Sequence, residues 1–150
     1  MRSKTLDTFH ENLLWELGRI VACAADVGDE LLRARPAASG ANSLAGIASQ
    51  ALGAAELHVR GWALGHSIEE DATEFTEATT VLELQARLAA VTARLRQAFD
   101  DLSGVDLDQP RETPGRGLQP IDAILLWAVL HAAEHVGTAE LTRDVLLAGR

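Results

Sequence analysis

The stretch "LLWAVLHAAEHVGTAELTRDVLLAG", residues 125–149, decides the fold, because its apolar residues return every three or four positions, the period of an α-helix rather than of a strand. The helix is read as starting near Pro120, which a first turn tolerates, and as ending about Leu147 with Gly149 beyond. His131 and His135 stand one helical turn from each other within it, about 40° apart around the axis, so both rings reach one point beside the helix. Ile124, Ala128, Ala139, Thr142 and Leu146 fall on or near the same side, which makes that side the core-facing stripe and aims the imidazoles inward. Two buried imidazoles without partners would cost about 2 kcal/mol or more each. Shared coordination of a divalent cation removes that cost, and so do hydrogen bonds to neighbouring helices.

Three further segments carry the same period. Leu6, Phe9, Leu13, Leu17, Ile20, Ala24, Val27 and Leu31 predict a helix over 5–34, closed by the breaker cluster "RPAASGANS". A second helix follows the cap Asn42 or Ser43 and runs to Trp62, with Gly46, Gly53 and Gly61 lowering its intrinsic propensity. The third opens on Thr80 and Glu83, a pair spaced to satisfy each other's exposed backbone donors, and runs to Leu102. No strand is expected. The acid-rich connection "HSIEEDATEFTEA", 66–78, reads as solvated, and the Pro and Gly of "SGVDLDQPRETPGRG", 103–117, forbid a continued helix. Connections of that length often lie over functional sites, and a plain crossover fits this one equally. The expectation is an all-α four-helix bundle with long connections, a single domain over 1–150.

Composition narrows the function. The formal net charge is −9 and the Lys and Arg residues are scattered, so there is no basic face for nucleic acid. The opening "MRSKTLDTFHENLLWELG" lacks an unbroken apolar core for a secretory signal, and "AILLWAVL" is far shorter than the roughly 20 residues a bilayer requires. A cytoplasmic protein without membrane contact is expected. The lone Cys23 has no internal disulfide partner and is expected to be buried. His10 and His66 are expected to be solvated near helix ends, His58 to be a structural or surface residue, and Trp15, Trp62 and Trp127 to lie in the core.

Several chemistries lack their residues. "HAAEH", 131–135, has the order of the inverted zinc proteases, but Glu134 sits about 60° back around the helix from His131, towards the rim, and the chain is too short for that fold's separate ligand helix. Glu-x-x-His motifs on two helices, as a di-iron bundle needs, are missing, and so are GxSxG, GxGxxG and GxxxxGK[ST].

Two pieces together resemble the DinB-like superfamily of four-helix bundles: "NSLAGIASQALGAAELHVRGWALGHSIEEDATEF", 42–75, and the last helix with its paired histidines before a Gly and its "LTR" ending. The resemblance implies a divalent metal, Zn or Ni, held by one second-helix residue and the last-helix pair, and chemistry of the thiol-dependent transferases and isomerases. His131 and His135 match the pair. Gln50 stands where the family carries its second-helix His, and an amide oxygen is a weak, neutral donor, so metal is expected to be held weakly or not at all. His58, two turns on from Gln50 or about 12 Å, is expected to meet the last helix at a different level. Three functions stay open: a metalloprotein using a low-molecular-weight thiol, a metal-free small-molecule-binding bundle, and an interaction bundle. A homodimer is expected.

Overall fold

The computed structural model describes residues 1–68 and 77–150. Its elements are α1 (Lys4–Leu32), α2 (Leu44–Glu56), which runs on into a π-helical segment (Leu57–Ala63), α3 (Val81–Asp101), β1 (Pro110–Thr113), β2 (Gly117–Pro120) and α4 (Ile121–Ala148). The acid-rich connection falls largely on 69–76, outside the described residues.

Helix starts follow the capping chemistry. Ser43 is the cap of α2, its Oγ accepting from the Gly46 N–H at 3.0 Å. Thr80 caps α3 by accepting from the Glu83 N–H at 3.0 Å. The reciprocal bond is displaced by one residue: the Glu83 carboxylate takes the backbone N–H and hydroxyl of Thr79, at 2.8 and 2.9 Å, rather than the N–H of Thr80. Those bonds and Arg87 hold the Glu83 carboxyl down at about 2. Gly28 breaks helical geometry inside α1 with φ 70°, a conformation that costs an L side chain energy but not glycine.

Cross-helix contacts fix the directions. Arg19 pairs with Glu140 at 2.7 Å, the Arg143 guanidinium reaches Cys23 Sγ at 3.7 Å, and Arg150 donates to the Val27 carbonyl at 2.8 Å, so α1 and α4 run parallel. Glu56 pairs with Arg94 and Ser49 lies by Arg87, which makes α2 and α3 parallel to each other. Val81 N–H bonds to Asp29 and His10 packs on Phe99, which turns α3 against α1. The order is up, down, down, up, so the connection 64–80 joins opposite ends of the bundle. Leu13, Leu17, Ile20, Leu44, Ile47, Leu52, Leu84, Leu95, Phe99 and Leu125 fill the shared core. No described helix is long and apolar enough to cross a membrane.

Three expectations are corrected. The connection after α3 contains an antiparallel hairpin, Pro110 pairing with Pro120 and Thr113 with Gly117. The breakers "TPGRG" make its turn, with Gly115 and Gly117 at φ 76° and 69° and the Arg116 N–H returning to the Thr113 carbonyl at 3.0 Å. Trp15 is 67% exposed, because Leu13 and Leu17 on either side of it take the inward positions and leave it facing out. His10 is buried, since it continues the stripe of Leu6, Leu13 and Leu17. Its Nδ1 lies 3.3 Å from the Arg2 guanidinium, its ring sits 5.0 Å from that of Phe99, and its Nε2 has no partner among the described residues. Burial and the nearby Arg2 lower its pKa. Cys23 is buried as expected, which raises its thiol pKa, and His66 is exposed.

Candidate functional site

The inward stripe of α4 lies where the sequence puts it: Ile124, Ala128, Ala139 and Thr142 are buried and Glu134 is exposed at the rim. His131 and His135 are half-buried on that side, their ring centroids 4.6 Å apart and their planes perpendicular. Facing them is the π-helical segment, which carries both His58 and Trp62. Its wide turn is closed by the Leu64 N–H bonding to the Val59 carbonyl at 3.2 Å, five residues back. At Gly61 a Cβ would come within 3.2 Å of the Ile68 and Leu57 side chains, which would have to shift by a few tenths of an ångström to admit it.

His58 corrects the expectation about level. It is 4% exposed, and its ring lies 5.2 Å from that of His131, edge-on, and 4.6 Å from that of Trp62. Trp127, one turn before His131, stacks on it at 6.0 Å and reaches His58 at 6.3 Å. His58 against His131, with Trp62 and Trp127 lining one hollow, fits α2 and α4 running antiparallel. Counting by helical rise, Gln50 is about 12 Å back from His58, whereas His135 is about 6 Å on from His131, so Gln50 falls roughly one turn beyond the pair. Gln50 is exposed. The level of His58 depends on how α2 pairs with α4, and the direction in which two helices pair is not written in either one.

The three rings form a ladder, His58, His131, His135, capped at the His58 end by Trp62 and Trp127. His58 Nδ1 is buried with no partner among the described residues. Burial above all, then His131 and then Arg116, push the His58 pKa down to about 4, and burial followed by His131 lowers that of His135. His58 is therefore neutral at pH 7. The hairpin tip closes the site from outside: the Arg116 guanidinium lies 3.6 Å from the centroid of the Trp127 ring. Beneath it is a hollow of about 40 Å³ between Trp62, Thr113, Gln119, Ile124 and Trp127, room for little more than a water or a methyl group. The connection 103–117 lies over this cleft through Arg116.

A divalent ion needs at least three donors converging on one point. Among the described residues no group of three or more His, Cys, Asp or Glu side chains is arranged to hold one. The ladder sets the three rings side by side, at 5.2 and 4.6 Å between centroids, without meeting that requirement.

The bundle thus runs up, down, down, up, with His58 on the π-helical end of its second helix and His131 and His135 on its last. The family described as the DinB superfamily matches the chain over residues 12–139, and the chain belongs to that superfamily. No curated protein and no solved structure matches it.

Proposed function

We propose that this DinB-superfamily chain is a small-molecule-binding bundle whose working site is the cleft of His58, His131, Trp62 and Trp127, and that it works without a resident metal. The observation that carries the reading is the packing of His58 against His131 among the tryptophan rings, which builds an aromatic cleft, while no three donors among the described residues are grouped to hold an ion. Two tryptophans supply flat apolar surface, and Arg116 supplies a cation with no carboxylate partner among the described residues. The ligand class that suits this set is a flat molecule with one carboxylate, which enters when Arg116 swings off Trp127 and pairs with the anion. Benzoate is a suitable probe. Its titration should change the tryptophan fluorescence and saturate at about 1 mM, and Arg116→Ala should weaken that binding about tenfold or more. No saturable change up to roughly 10 mM sinks the reading.

The nearness of His131 and His135 favours a second reading, a weak Zn or Ni site completed by Gln50 and serving a low-molecular-weight thiol. Gln50→His separates the two. If Gln50 faces the pair, the substitution raises Zn²⁺ affinity by at least about tenfold, or 1.4 kcal/mol. On the metal-free reading it leaves calorimetric titration unchanged, and elemental analysis finds the same low metal content in the wild type and in a His131→Ala, His135→Ala double variant.

A further inference from the structure

The hollow beneath Arg116 has a wall that a flat carboxylate alone does not use. At about 40 Å³ it admits one group of methyl or hydroxyl size and no six-membered ring. Trp62, Ala123, Ile124 and Trp127 make it apolar on most sides, and Thr113 and Gln119 make it polar on the rest. Apart from Arg116 itself, no charged side chain among the described residues lines it. What enters the hollow is therefore small and neutral.

The two polar side chains have spent their donors on the hairpin. Gln119 Nε2 donates to the Arg116 carbonyl at 2.9 Å, a bond only the NH₂ end of the amide can make, so Oε1 is the end left over, and no donor meets it among the described residues. The Thr113 hydroxyl donates its one proton to the Arg111 carbonyl at 3.3 Å and keeps its lone pairs. Thr113 is 2% exposed, and Val, equally at home in a strand, would fill the same volume, so packing does not call for the hydroxyl. Two acceptors thus border a space of one heavy atom whose other walls are apolar. A guest group placed there gains most if it brings a hydrogen to donate, because an acceptor shut away from water without a donor is costly.

We infer that the hollow selects guests bearing one hydrogen-bond donor, a hydroxyl or an amino group across the ring from the carboxylate, and that Thr113 and Gln119 decide this specificity. The inference rests on the carboxylate-binding reading of the cleft. The Arg116 guanidinium, flat over Trp127 at 3.6 Å from the ring centroid, holds the place of the guest's ring. When it leaves to meet the carboxylate, the ring stacks on Trp127 and the position opposite the carboxylate turns into the hollow. The test is a titration with 4-hydroxybenzoate, 4-aminobenzoate and 4-methylbenzoate, the last equal in size but without a donor, followed by NMR at the tryptophan indole N–H signals. The first two should bind about fivefold or more tighter than the third. Thr113→Val should bring 4-hydroxybenzoate to the level of 4-methylbenzoate while leaving the latter within about twofold, and Gln119→Leu should narrow the gap in the same direction. If the wild type binds the hydroxy and methyl compounds equally, this inference falls and the cleft reading stands. No saturable shift with any of the three up to roughly 10 mM overturns both. A preference for the hydroxyl that survives both substitutions overturns the assignment to Thr113 and Gln119.

Discussion

His10 and His58 are alike in burial and unlike in everything that surrounds them. Both are within a few per cent of full burial, both have one ring nitrogen without a partner among the described residues, and burial lowers the pKa of both. His10 sits on the ring of Phe99 with its other nitrogen against Arg2, and Arg2 is itself anchored by Asp7 at 3.1 Å and Asp100 at 3.4 Å. That network ties the start of α1 to the end of α3. His58 has no such anchor: its neighbours are the rings of Trp62, Trp127 and His131, with Arg116 behind Trp127. A buried imidazole held by a fixed ion network is part of the scaffold, whereas one surrounded by aromatic faces and a single loosely held cation stands in a place where another molecule can be received.

The contrast breaks most readily at Phe99. Truncation of this fully buried ring to Ala should cost about 3–5 kcal/mol by urea unfolding, and a loss below about 1 kcal/mol would mean that the His10 end is not scaffold. Next is the acid response of His58. Its ring is neutral in the folded chain where the unfolded chain takes a proton, so stability is highest above pH 6.5 and declines as the pH falls towards about 4, by about 3 kcal/mol in all. His10 and His135, whose pKa values are also lowered, act in the same direction. Unfolding free energies measured from pH 7 to pH 4.5 should show a shallower slope in His58→Gln; an unchanged slope would show that His58 carries its proton in the folded chain. Arg2→Ala should cost about 1 kcal/mol by removing the donor to His10, with no effect on the fluorescence of Trp127. The smallest expected effect belongs to Arg116→Ala, about 0.5 kcal/mol in stability, since its cation lies over an exposed edge of the site, but with a clear shift in tryptophan emission. A stability loss as large as that of Phe99→Ala would make Arg116 structural.

The bundle was legible because helices advertise themselves within one segment. The return of Leu6, Leu13 and Leu17, the caps Ser43 and Thr80, and the inward side of α4 are all local patterns, and each stands where those patterns imply. The burial of His10 follows from its place in the Leu6–Leu17 stripe, which outweighs its nearness to the chain end. The hairpin was not legible, because four-residue strands show little alternation and the breakers of "TPGRG" end a helix as readily as they turn a hairpin; the two glycines, which take positive φ in the turn, are the local signal. The His131–His135 spacing gave half of the site, and the rest depended on which way α2 runs past α4 and on a change of helical pitch at 57–63, neither of which a helical wheel contains.

That wider turn has an evolutionary corollary. Between Leu57 and Ala63 the backbone accommodates an additional residue per turn, so deletion of Val59, Arg60 or Gly61 would tighten the coil and swing Trp62 by about 100° away from the His58 ring while leaving the rest of α2 untouched. Shortening the chain here by a single codon is thus a way to dismantle the aromatic end of the cleft without touching a ring, and a homologue missing one position in this stretch would be expected to hold a differently shaped guest.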